Sequence, residues 1–177
     1  MLSFIEKELE NRKIVLNEVY KNMQSYIYTA SIIISETIDK SGDIFIFGNG
    51  QNILNVNNLA FLLKKTKNAA AESLCEQTIL LSEIANNYGC DRIFDKQIEL
   101  KAKEKDLLIG FSMSGTSKNV LRALSLGRNL GCKTIGFSGG DGGVMDEFCD
   151  LNLVVPSDDK SIMQEMHMMI VNLVAGY

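Results

Sequence analysis

Two hydrophobic rhythms divide the chain. From residue 2 to about residue 40, apolar side chains such as Ile5, Leu9, Leu16, Val19, Met23, Ile27 and Ile34 recur at mixed three- and four-residue spacing, which predicts helix. The later part of this arm, YIYTASIIISETI, is apolar on more than one side. Such a helix is buried either in its own domain or in an interface between subunits. After Lys40-Ser41-Gly42 the rhythm changes to short apolar runs bounded by glycines: DIFIF (43–47), DLLIGFS (106–112), KTIGF (133–137) and LNLVV (151–155). Continuous runs of this length suit strands covered on both faces, hence a parallel sheet. Helical patterns fall between them at 52–65, 75–88, 91–103, 117–130 and 159–175. The alternation predicts an α/β fold, a three-layer α/β/α sandwich carrying an N-terminal helical arm over 1–40. No linker, repeat or low-complexity stretch interrupts residues 1–177, so a single domain is expected.

Ligands of open parallel sheets sit beyond the carboxyl ends of the strands. Two strand ends here run into turns suited to an anion: GNGQN (48–52) and SMSGTS (112–117). In the second, four hydroxyls and a glycine fall within six residues ahead of a helix. Short hydroxyls, backbone N–H groups and the helix N-terminus can converge there on a phosphate. An N-cap accounts for Ser117 alone, not for Ser112, Ser114 and Thr116 as well. The helix after GNGQN raises a different question, because from Asn52 to Leu63 it carries no ionisable side chain.

Charge and composition narrow the partners. A net charge of −4 over 177 residues argues against direct nucleic-acid binding, which needs clustered Lys and Arg. Lys64, Lys65 and Lys67 read as a solvated helix end. Cys75, Cys90, Cys132 and Cys149 form no C-x-x-C pair, so they read as buried or half-buried thiols of a reducing compartment. Acids near the N-terminus and the absence of a long apolar run predict neither a signal peptide nor a membrane span. A cytoplasmic protein is expected.

The segments FSMSGTSKNVLRAL, GCKTIGFSGGDGG and VPSDDKSIMQEMH resemble the sugar isomerase (SIS) domain, and within it the sedoheptulose 7-phosphate isomerase (phosphoheptose isomerase) family. IANNYGCDRIFDKQI and the GNG turn are similar to the same family, so the resemblance runs from about residue 43 to 172. It implies a flavodoxin-like sheet, a homotetramer in which the arm forms an interface, and a phosphorylated sugar as ligand. By this resemblance Ser112, Ser114 and Ser117 hold the phosphate; Thr116 joins them on the reading of the loop's hydroxyls, and Asn49, Gly50, Asn52 and Gln164 are further candidates around the sugar.

The family also implies a zinc site: a histidine and, four residues on, a glutamate in the first helix, then a glutamine and a histidine eight residues apart in the last. Positions i and i+4 share a helix face, and i and i+8 nearly do. Such an acid can move a proton between C1 and C2 while the metal stabilises the enediolate. This chain has Asn58 and Leu62 in the first helix and Gln164 and Asn172 in the last. The family's first-loop serine is Asn52 and its central aspartate is Gln77. No metal and no cofactor are therefore expected. His167 and Glu165, or Glu76, are the remaining candidates for proton transfer. His167 can equally be a packing histidine bonded to a backbone carbonyl.

Smaller features stay open. GGDGG (139–143) suits either a lid or a tight loop after a strand. Asp158 and Asp159 suit either sugar hydroxyls or a helix cap. Met163, Met166, Met168 and Met169 suit core or interface filling. Three functions are compatible with these readings: a phosphosugar-binding member of the family, serving heptose, lipopolysaccharide or capsule synthesis without zinc-dependent isomerisation; an active ketose/aldose phosphate isomerase with a rearranged site; and an interaction protein like the DiaA branch, which binds the replication initiator DnaA.

Overall fold

The computed structural model describes residues 2–176. Five parallel strands form the central sheet: β1 (Ile44–Gly48), β2 (Ala71–Ser73), β3 (Leu107–Phe111), β4 (Lys133–Gly139) and β5 (Leu151–Val155). Their spatial order is β2-β1-β3-β4-β5, the flavodoxin-like order expected from the sequence. Alternate residues of each strand face opposite layers. Ile44, Ile46, Leu107, Ile109, Phe111, Ile135, Phe137, Leu153 and Val155 pack in one core. Phe45, Phe47 and Leu108 pack in the other.

The first core is covered by α2 (Gln24–Asp39), α3 (Asn52–Lys67) and α7 (Lys160–Gly176). The second lies under α5 (Asp95–Lys101) and α6 (Lys118–Asn129), with α4 (Thr78–Tyr88) at its margin. The arm is two helices rather than one: α1 (Leu2–Asn22) ends at Met23, whose φ of −110° and ψ of −2° turn the chain into α2. Helical bonding runs through the bend, from Met23 N–H to Val19 O and from Ile27 N–H to Met23 O. The kink lets Met23 reach the core while α1 leaves Leu2, Phe4, Ile5 and Leu9 exposed. Among the described residues no helix is long and apolar enough to cross a membrane.

Two helix boundaries and one strand differ from the sequence pattern. The helix expected over 75–88 begins at Thr78, and the one expected over 91–103 is a 3₁₀ turn (Cys90–Arg92) followed by α5. β2, with the sequence Ala-Glu-Ser, carries no apolar run; it is a strand because its backbone pairs with Ile44–Ile46 of β1 at the sheet edge. Cys132 and Cys149 are buried and Cys75 half-buried as expected, but Cys90 is exposed, because it opens a surface turn. Met163 and Met166 are buried, and Met169 packs against the same core. Lys64, Lys65 and Lys67 end α3, where positive charge complements the helix dipole.

Candidate phosphosugar site

Strand order reverses between β1 and β3, and in a doubly wound sheet this is where the crevice opens. The loops leaving these two strands are GNGQN and the serine loop. They are fastened to each other by a reciprocal amide pair. Asn49 Nδ2 donates to Asn119 Oδ1 at 2.8 Å, and Asn119 Nδ2 donates to Asn49 Oδ1 at 3.0 Å. Asn119, in the first turn of α6, was not distinguishable in the sequence, since its partner lies 70 positions away. Gly50 adopts φ +58° at the turn into α3, and the amide of Asn49 ties the first loop to the start of α6.

Within the serine loop the hydroxyls are ordered in two layers. Ser112 is buried, donates from Oγ to Ser117 Oγ at 2.9 Å and accepts the Ser117 N–H at 3.2 Å. Ser114 and Thr116 are exposed; their hydroxyls share a hydrogen bond of 2.8 Å, and Ser114 Oγ accepts the Thr116 N–H. Ser117 precedes α6 but its side chain does not cap the helix; Asn119 Oδ1 accepts the Val120 N–H of the first turn at 2.9 Å. The Ser117 hydroxyl faces Ser112 instead, so it leaves the N–H groups at the very start of α6 to an external anion. The lower pair thus braces the loop and the upper pair presents its oxygens to solvent.

The GGDGG segment is a brace, not a free flap. Gly115 has φ +63°, and a Cβ there would lie 1.9 Å from the carbonyl oxygen of Gly142. A Cβ on Gly143 would lie 2.4 Å from Ser114 O. The two loops are therefore in backbone contact, tied further by Val144 N–H to Gly115 O at 3.3 Å. Asp159 caps α7 through Oδ1, which accepts the N–H groups of Ser161 and Ile162. Asp158 does not share that task and faces the cleft beside Ser114.

α3 and α7 meet along a seam lined with amides. Asn55 Nδ2 donates to the Gln164 carbonyl at 3.4 Å. Three residues further along α3, Asn58 Nδ2 donates to Asn172 Oδ1 at 3.3 Å and to Met168 Sδ at 3.1 Å. The fold thus brings positions 58 and 172 together, as the spacing argument requires, with half-buried Leu62 one turn further along α3. Met168 lies midway between Gln164 and Asn172 on the same helical face. That spacing was a signal for its place in the wall. The Oδ1 atoms of Asn52 and Asn55 are buried without a donor, so both can still accept a hydrogen bond.

His167 is not in the cleft. It is fully buried, its Nε2 donates to the Ser138 carbonyl at 2.9 Å, and its ring stands edge-on to Phe111 and Phe137. A carbonyl only accepts, so Nε2 carries the proton and Nδ1 is left without a partner. Burial pushes its pKa down to about 4. Glu165 is turned the other way: Arg12 of α1 grips it with two bonds, Nε to Oε2 at 2.8 Å and Nη2 to Oε1 at 2.9 Å. Glu76 is exposed on the turn before α4. This geometry does not bring His167 and Glu165, two of the candidates for proton transfer, together at the cleft. One is buried beneath the sheet's aromatic side chains, and the other is held at the arm.

The burial of His167 has a pH consequence. An unfolded histidine titrates near 6.5, whereas the folded one stays neutral to about pH 4. Stability from this site is complete above pH 6.5 and falls as pH drops from there to 4, because the unfolded chain takes up a proton the folded chain refuses. The loss should reach roughly 3 kcal/mol at pH 4. Urea melts of the protein and of His167→Gln between pH 7 and 4 should show a steeper acid loss in the wild type; parallel curves would contradict this assignment.

Residues 9–139 match the SIS domain family. The phosphoheptose isomerase of Aliarcobacter butzleri is 43% identical over 174 residues, covering 96% of this chain and 92% of that protein. The chain belongs to the phosphoheptose isomerase family of SIS-domain proteins. Solved phosphoheptose isomerases agree in structure. That of Neisseria gonorrhoeae superposes with a TM-score of 0.93 at 25% identity, covering 99% of this chain and 96% of its own. The Francisella tularensis phosphoheptose isomerase does so with the same TM-score at 26% identity.

The zinc implied by the family does not fit the residues of this SIS protein. Asn58, Met168 and Asn172 offer amide groups and a thioether, and Leu62 offers nothing. Zinc sites are built from thiolates, imidazoles and carboxylates. Asn58 Nδ2 already points a donor at both of its neighbours, the wrong polarity toward a cation. Among the described residues no three His, Cys, Asp or Glu side chains gather in a way that could hold a metal.

Proposed function

We propose that this chain binds a phosphorylated sugar of the sedoheptulose 7-phosphate type at the serine loop, without zinc-dependent isomerisation. The observation that carries the reading is the pairing of an exposed hydroxyl cradle with a seam of neutral amides. Ser114 and Thr116 present oxygens beside the start of α6, which Ser117 does not cap, while Asn58 bonds to both Met168 and Asn172. A phosphate is served by the first. Proton transfer at C1 and C2 needs a base, which amides and leucine cannot supply. Asn52 and Asn55, each with an unpaired buried oxygen, are suited to accept from the sugar side. Subunit assembly as a homotetramer and a place in heptose or envelope-polysaccharide synthesis are part of this proposal, supported by the family relationship.

Ser114→Ala should weaken binding of sedoheptulose 7-phosphate by on the order of 1.5–3 kcal/mol, the value of a hydrogen bond to a charged group. Titration calorimetry reads this directly. An unchanged affinity would place the ligand elsewhere. A thermal shift supplies a second reading, since a ligand bound only to the folded state raises the melting temperature. No shift at saturating ligand would leave the interaction-protein alternative, resembling the DiaA branch, as the better account.

A further inference from the structure

A cleft of about 710 Å³ opens at the carboxyl edge of β3, β4 and β5, within the range of small-molecule sites. Its polar walls are Ser114 of the serine loop, Asp141 of the glycine segment, Ser157 and Asp158 after β5, and Lys160 at the start of α7. Ser114 makes this cleft continuous with the hydroxyl cradle. Lys160 is the one cation lining it. It is exposed and forms no ion pair among the described residues. Its sequence neighbour Asp159 is occupied in capping α7. The loop itself, residues 112–117, brings hydroxyls and a helix end but no charged side chain, and Lys118 opens α6 next to it.

We propose that Lys160 is the charged member of the phosphate subsite, its ammonium reaching across the cleft to the phosphate held by the serine loop. The proposal rests on the phosphosugar reading above and deepens it. Lysine suits this role because a compact ammonium on a flexible stem needs no fixed approach angle. Asp141 and Asp158 line the same cleft; ionised carboxylates only accept, so they take sugar hydroxyls and repel a second anionic group. The ligand class is a polyhydroxylated monophosphate rather than a bisphosphate or a phosphorylated sugar acid.

Calorimetry with sedoheptulose 7-phosphate and with inorganic phosphate tests this on wild type, Lys160→Met, Lys160→Arg, Asp158→Asn and Ser114→Ala. Lys160→Met should weaken both ligands about tenfold or more, as expected for a lost charged hydrogen bond, and flatten the decline of affinity with salt. Lys160→Arg should recover most of the affinity. Asp158→Asn should weaken the sugar phosphate and spare inorganic phosphate. If Ser114→Ala loses affinity while Lys160→Met binds like wild type, Lys160 has no part in the subsite and the serine-loop reading stands. A loss in Lys160→Met that Lys160→Arg does not recover would also overturn the proposal. If wild type binds neither ligand, both readings fall.

Discussion

Sedoheptulose 7-phosphate incubated with the purified protein and added zinc should be recovered unconverted, under conditions in which the Aliarcobacter butzleri phosphoheptose isomerase converts it. The missing base alone removes roughly 10²–10⁴ in rate. The metal's stabilisation of the enediolate should be lost as well on the proposed reading, because the seam offers amides and a thioether where zinc sites use anionic or imidazole ligands. Of the substitute candidates, Glu76 is exposed on the turn before α4, and His167 and Glu165 are otherwise engaged. His167 donates its Nε2 proton to Ser138 O beneath the sheet's aromatic side chains, and Glu165 is bound bidentately by Arg12. A coupled assay for the aldose product decides the matter. Turnover at ordinary enzyme rates, with or without zinc, would overturn the assignment of Asn58, Leu62 and Asn172 as an inert wall.

Rebuilding that wall should create a metal site. Asn58→His, Leu62→Glu and Asn172→His, with Gln164 retained, place two imidazoles and a carboxylate where the side chains of 58 and 172 already meet at 3.3 Å. Loss of a mere outer-shell partner costs roughly 10–100-fold in metal affinity, so the gain over wild type from three new groups should exceed that range. Met168 is the obstacle. Its sulfur sits 3.1 Å from Asn58 Nδ2, so the triple variant is best compared with a quadruple one that adds Met168→Ala and clears the centre of the seam. Zinc calorimetry, with the rise in melting temperature as a second readout, should give clear binding in the variants and none in wild type. Silence in both variants would mean that the geometry of the seam, and not only its chemistry, has departed from the family's.

The hydrophobic pattern reached the layers and most of the strands because buried parallel strands are written as local runs. DIFIF, DLLIGFS, KTIGF and LNLVV each fall on a strand within a residue or two of its ends. β2 was invisible for the same reason, since Ala-Glu-Ser becomes a strand only through the backbone of β1. The serine loop was legible as chemistry, its four hydroxyls being adjacent in the chain. Its division into a bracing pair, Ser112 with Ser117, and a presenting pair, Ser114 with Thr116, was not. That division depends on which oxygen faces the loop interior.

The sequence by itself determined four of the five strands, the run of hydroxyls in the serine loop and the absence of ionisable groups at positions 58, 62 and 172, because each depends on residue type at fixed local spacing. Only the tertiary structure decided where those positions lie relative to one another. Asn58 and Asn172 are 114 residues apart and become neighbours through the packing of α3 on α7. The same packing placed Met168 beside Asn58, and the contact of α1 with α7 paired Glu165 with Arg12. The packing of α7 on the sheet buried His167 against Ser138, Phe111 and Phe137, since a helix face acquires its chemical meaning only from what is laid against it.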